Sequence, residues 1–232
     1  MKKIVLLILV VGILQQFAIG SILPIAENET VKVRIASGLV VPKVGGIDLM
    51  VDGTEVGYAS GMSDGVWAGC YLVDIQDSTS IQIANAYKSF CMDALLDPPF
   101  DYANATAVAA TPAALEWMWG TYYDDVIDNA VEAAAFQLAY WEVMHETSGS
   151  WDVAGGSFYL FDLNTSSSNN NGATIANLVS YANTYLNSST WTQKAELLML
   201  PAAGCQPFIV EIPEPATMAI LGLGGLLLRR KK

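Results

Sequence analysis

The residues of this chain best suited to chemistry are a glutamine inside an apolar helical segment and a cysteine at the end of a candidate strand. In Ala133-Ala134-Ala135-Phe136-Gln137-Leu138-Ala139-Tyr140-Trp141-Glu142, Gln137 and Trp141 stand four residues apart. They therefore share one helix face, among alanines small enough to let another backbone approach. A neutral amide on such a face requires a partner, because burying it unpaired costs roughly 1–3 kcal/mol. Upstream, Ser89-Phe90-Cys91-Met92-Asp93 ends a candidate strand in a thiol. Taken by themselves these residues leave two readings for each group. Cys91 is a nucleophile or an inert buried thiol, and Gln137 is a reactive carbonyl or a plain hydrogen-bonding partner of nearby backbone. Cys70, in Trp67-Ala68-Gly69-Cys70-Tyr71, is a second candidate nucleophile, and Cys205 completes an odd set of three. An odd number in an oxidising compartment leaves at least one thiol outside any intrachain disulfide, while any two could pair.

Other constellations carry less. His145 is the single histidine, one turn beyond Trp141. It lacks the second histidine of a zinc-protease motif, no Gly-x-Ser-x-Gly elbow accompanies it, and a helix-end position predicts contact with the terminal carbonyls. A hydrolase is accordingly disfavoured, and no cofactor or metal site is expected. Asp124, Asp125 and Asp128 lack the spacing and glycine of an EF-hand loop and read as a solvated acidic turn. Asp93, Asp97 and Asp101 recur every four residues, but Pro98-Pro99 breaks any helix that would align them. Trp117, Trp119, Tyr122 and Tyr123 are dense enough for a sugar-stacking platform, with aromatic core as the default.

The elements that must position these residues follow from periodicity. Val31 to Ile35 alternates, Ile47 to Val51 precedes the turn dipeptide Asp52-Gly53, and Val66 to Ile75 is a long apolar run, so the first half, to about Cys91, reads as strands. Thr111-Pro112 predicts an N-cap and first helical position for Ala113 to Trp119. Asn129 with Glu132 resembles a capping box opening a helix from Ala130 to about Glu146. A third helix is expected over 173–186, with Ile175, Leu178, Val179, Ala182 and Leu186 on one stripe. Asn164 to Gly172 is a polar loop, and strand character returns at Glu196 to Leu200 and Phe208 to Ile212. The expected fold is α+β, a small antiparallel sheet or barrel plus a helical subdomain.

The 232 residues carry 23 acids against 11 bases, and only Lys32, Arg34, Lys43, Lys88 and Lys194 of those bases lie away from the two ends. Such a body offers no phosphate footprint, so no nucleic-acid partner is expected. A hydrophobic share of 53% excludes disorder. Met1-Lys2-Lys3, the apolar stretch Ile4 to Leu14 and Ala18-Ile19-Gly20 have the form of an export signal, residues 1–20, with signal peptidase cutting before Ser21. At the other end, Pro213-Glu214-Pro215 leads into apolar Met218 to Leu228 and then Arg229-Arg230-Lys231-Lys232. The thirteen residues 216–228 rise only about 20 Å as a helix, short for a hydrocarbon core, and read as a temporary membrane stop held by the basic tail. A plain membrane anchor is the alternative. The order of tripeptide, apolar segment and basic cluster resembles the PEP-CTERM sorting signal of bacterial surface proteins. That resemblance implies recognition of residues 213–232 by an exosortase, with Pro213, Glu214, Pro215, Arg229 and Arg230 as its marks, and delivery to the cell envelope, cell surface or extracellular polysaccharide.

The body between, residues 21–212, carries a second resemblance. Phe90, Cys91, Met92 and Asp93 match the Phe/Tyr-Cys-aliphatic-Asp segment, and Gln137, Ala139 and Trp141 match the Thr-Gln-x-Ala-aliphatic-Trp helix, of the thioester domain of bacterial surface adhesins. Phe136 stands where that family has threonine, and Tyr140 where it has an aliphatic residue. The resemblance spans roughly Gly46 to Ile212, but only the two short motifs are specific. It implies an internal thioester, in which the Cys91 thiolate displaces ammonia from the Gln137 carboxamide within a pocket of Phe90, Asp93, Ala139, Tyr140 and Trp141 that excludes water. An extracellular amine would then displace the sulfur once, so that the protein is an adhesin or matrix-attachment module and not an enzyme. With Cys91 so engaged, Cys70 and Cys205 are left as a candidate disulfide. The alternative function is a non-covalent surface or polysaccharide-binding module of the same fold.

Overall fold

The computed structural model describes residues 23–36, 42–57, 65–147 and 149–212. The expected export signal and sorting helix lie outside these residues. Among the described residues no helix is long and apolar enough to cross a membrane.

The fold is α+β, with every strand pairing antiparallel. One sheet runs β6 (Gln82–Ser89), β5 (Tyr71–Asp77), β1 (Thr30–Ile35), β7 (Ala103–Thr106). In β1 the alternation is realised as expected: Val31 and Val33 are buried, while Arg34 turns out to meet Asp74 at 3.1 Å and cover the Tyr102 ring. A second sheet orders β11 (Phe208–Ile212), β10 (Glu196–Leu200) and β8 (Val108–Ala109). The third centres on β2 (Lys43–Val51). Ile47 of β2 pairs both Val66 of β4 (Val66–Gly69) and Leu163 of β9 (Phe158–Leu163), and Leu49 pairs both Val56 of β3 (Thr54–Val56) and Leu160. β9 therefore takes one edge of β2, and β4 and β3 share the other. Asp52 and Gly53 join β2 to β3 with φ of 49° and 77°, the paired left-handed conformations that a two-residue hairpin needs.

Among the described residues there are three α-helices: α1 (Ala114–Val126), α2 (Ala130–His145) and α3 (Ile175–Leu186). α2 is the axis of the molecule. Asn129 opens it, accepting from the N–H groups of Val131 and Glu132 while its own amide donates to Glu132 Oε1 at 2.9 Å. From Ala133 to Val143 every residue of α2 is buried, because α1, α3, β2, β4 and β9 pack around it. A helix enclosed on all sides needs no polar face.

The structure corrects several expectations. No closed barrel forms among the described residues; the first and second sheets are linked by isolated bridges, Cys91 to Phe208 and Ala105 to Ala202. The strands before Cys91 and at 196–200 and 208–212 form as expected, but β9, which was not expected, follows α2 in sequence and pairs with β2. Thr111-Pro112 does not cap α1. Ala113 is its N-cap, and the Pro112 carbonyl accepts from Leu115 N–H in a preceding turn. α1 also runs past Trp119, its interior Gly120 lying so close to the chain at 193–195 that a Cβ there would stand 2.7 Å from Ala195 N. On α3, capped by Thr174 and Asn177, Ile175 is 41% exposed and Tyr185 takes its place on the buried face. All three cysteines are free thiols, so Cys70 and Cys205 form no disulfide.

Candidate functional site

The segment that follows β6 delivers the cysteine. Ser89 Oγ donates to Ile209 O at 2.6 Å, Ile209 N to Phe90 O at 3.1 Å, and Met92 N to Pro207 O at 2.9 Å. These bonds hold residues 89–92 extended alongside β11 and turn Cys91 toward α2. There the backbone N–H of Cys91 donates to Gln137 Oε1 at 3.0 Å, and Gln137 Nε2 donates back to Cys91 O at 2.6 Å. The carboxamide thus occupies both backbone groups of one residue, as a neighbouring strand would. The thiol closes the arrangement, with Sγ 3.4 Å from Gln137 Oε1. Both side chains are 0% exposed. Cys70, also buried, is close to the carbonyl of Tyr71 at 3.8 Å, and burial pushes its thiol up to about 12. Of the two candidate nucleophiles, the one beside the amide is Cys91.

The surroundings are aromatic. Phe90 meets the rings of Phe136, Trp119, Tyr140 and Tyr123 at centroid distances of 5.0 to 6.3 Å. Tyr140 is buried and donates to Leu115 O at 2.9 Å, and Ala139 is buried as well. Phe136 extends this cluster to Tyr185, so position 136 supplies packing and carries no hydroxyl near the amide. Burial drives the Cys91 thiol far above its ordinary value, and the Trp141 indole opposes that shift. The indole N–H makes no hydrogen bond of good geometry yet lies near enough to favour the thiolate.

The remaining sequence candidates fall elsewhere. Trp119 and Tyr123 stack at 4.1 Å in the core while Trp117 faces outward, so the four aromatics form no common platform. Asp128 pairs with Lys88, and the described residues contain no group of three or more acidic, cysteine or histidine side chains placed to hold a metal. His145 does not bind helix-end carbonyls. Its ring lies parallel over Phe158, and its Nε2 stands 3.7 Å from Asp93 Oδ1.

Sequence reasoning passed over Glu142, a carboxylate inside the enclosed helix. Its Oε1 accepts from Asp152 N–H at 2.7 Å, and its buried Oε2 has no hydrogen bond. Desolvation raises its pKa from the ordinary 4.5 to about 8. Between those values the folded chain keeps a proton that the unfolded chain releases, so this group's contribution is fully present below the lower value and is lost as pH rises through about 8. Glu142→Gln keeps the acceptor for Asp152 and removes the titration. Urea midpoints at about pH 5 and about pH 9 are expected to lie closer together in the variant, the gain appearing at the alkaline end.

Residues 211–232 match the family model described as the PEP-CTERM protein-sorting motif. Pro213, Glu214, Pro215, Arg229 and Arg230 all fall within that match, outside the described residues. No curated protein and no solved structure matches the chain. The sorting motif supports an exported protein, directed to the cell surface and processed by an exosortase.

Proposed function

We propose that this exported surface protein attaches covalently to amine-bearing molecules through a thioester between Cys91 and Gln137. The observation that carries the reading is the 3.4 Å approach of Cys91 Sγ to the Gln137 carboxamide inside a pocket closed to water. Attack of the sulfur on the carboxamide carbon places developing negative charge on Oε1, where the Cys91 N–H already stands at 3.0 Å, the position of an oxyanion donor. The carbon–nitrogen bond breaks, ammonia leaves with the thiol proton, and the acyl group remains on sulfur. A primary amine later forms an amide at that carbon and returns the sulfur to a thiol. Each chain reacts once, which makes it an attachment module for cell-surface or matrix amines and not an enzyme.

A second reading is favoured by the same two amide hydrogen bonds. They satisfy Gln137 and the Cys91 backbone without any covalent step, as a non-covalent surface or polysaccharide-binding module would require. Intact mass separates the two. Purified without reductant, the covalent form is expected one ammonia below the sequence mass, to convert to a methylamine adduct, and to lose both properties in Cys91→Ala and Gln137→Ala. A full sequence mass unresponsive to methylamine selects the non-covalent reading.

A further inference from the structure

Cys91 and Gln137 are wholly buried, so an amine needs a route to them. The extended segment after β6 meets α2 at two places: Cys91 bonds Gln137, and Asp93 Oδ1 stands 3.7 Å from His145 Nε2. Asp93 lies two residues along the segment, about 7 Å, and His145 two turns along the helix, about 12 Å. Burial relaxes in the same direction, to side-chain exposures of 29% for Asp93 and 16% for His145. Trp141 stands between the two contacts on the helix face, its indole N–H without a hydrogen bond. At the outer end, Asp93 Oδ1 is held in place by the Leu95 N–H at 2.8 Å, while buried His145 Nε2 has no hydrogen bond.

Resting on the thioester reading, we propose that Asp93 and His145 form the entry port for the amine and select a primary ammonium on a slender stem, of the lysine side-chain type. The Asp93 carboxylate receives the ammonium. His145 takes one of its three protons on the neutral imidazole, and the free amine passes inward beside Trp141. Attack on the Gln137 acyl carbon breaks its bond to sulfur. The second proton goes to the Cys91 sulfur, and the third stays on the new amide nitrogen. Burial lowers the pKa of His145 and so keeps it neutral and able to accept, against the opposing charges of Asp93 and of Asp52 in the β2–β3 turn. Glu142 shares its helix, Glu146 is the C-cap of that helix, and the uncharged Phe158 of β9 covers its ring.

The test uses the full exported chain carrying its ammonia deficit. Rates of capture are measured for methylamine, a cation at neutral pH, and for hydroxylamine, a nucleophile that is neutral there. Asp93→Asn and His145→Gln are each expected to slow methylamine by about 100-fold, the lower range for general acid–base assistance, and to leave hydroxylamine within about threefold. Retention of the mass deficit verifies that each variant is folded. On the wild-type chain, added salt is expected to slow methylamine and not hydroxylamine. Equal losses for both nucleophiles, unchanged rates, or salt-independent methylamine capture overturn the port and leave the thioester standing. A wild-type chain at full sequence mass overturns the thioester reading and the port with it.

Discussion

Gln137→Leu is expected to be about 2–6 kcal/mol less stable than the carboxamide form of the fold, although it exchanges a polar side chain in an apolar core for an apolar one of similar size. The reason lies in Cys91, whose N–H and C=O are bonded by Gln137 at 3.0 and 2.6 Å. Leucine leaves both groups buried without partners, at about 1–3 kcal/mol each. Gln137→Glu keeps an acceptor for the N–H and is expected to lose the bond to the C=O at high pH. Urea unfolding of the three chains decides the matter. A leucine variant at or above the stability of a wild-type chain at full sequence mass would show that the carboxamide is not holding this backbone in solution.

Phe90→Ala is the second large effect, at about 3–5 kcal/mol for a fully buried phenylalanine. Four aromatic rings lie around Phe90, so the deletion removes packing from α1 and α2 together. Its chemical consequence is separate from its thermodynamic one. The cavity opens next to Cys91, and an acyl group there would meet water. Under the thioester reading the variant is expected to be purified as a hydrolysed acid, with Gln137 converted to a glutamate, even where circular dichroism shows a native fold. An intact ammonia deficit in a folded Phe90→Ala chain would mean that the ring does not guard the site.

How far these features could be read in advance depended on whether a signal was local. The start of α2 was legible because Asn129 and Glu132 satisfy the first turn by themselves. The hairpin at Asp52-Gly53 was legible for the same reason. β7, Ala103–Thr106, was not, since alanine and asparagine are poor strand formers and its conformation comes from pairing with β1. β9 pairs with a strand more than a hundred residues earlier, and no short window records that. The contact of Cys91 with Gln137 spans 46 residues and left no periodic trace; a resemblance between short motifs suggested it. His145 was misplaced because a helix-end rule considers only its own helix, while its neighbours, Asp93 and Phe158, arrive from two other segments.

The bond from Gln137 Nε2 to the Cys91 carbonyl bears on the direction of any acyl exchange here. An amide carries that N–H; a thioester has none. Closing the thioester would therefore strand the Cys91 carbonyl in an apolar interior, at about 1–3 kcal/mol. Capturing a primary amine would not restore it in an ordinary trans amide, because there the substituent lies on the oxygen side of the nitrogen, where the bonding hydrogen of Nε2 stood. The pocket is thus shaped for the state before ammonia leaves, and both later states leave that carbonyl without its donor. Such a site behaves as a latch that, once tripped, does not regain its first hold, and primary and secondary amines would be held alike in that respect.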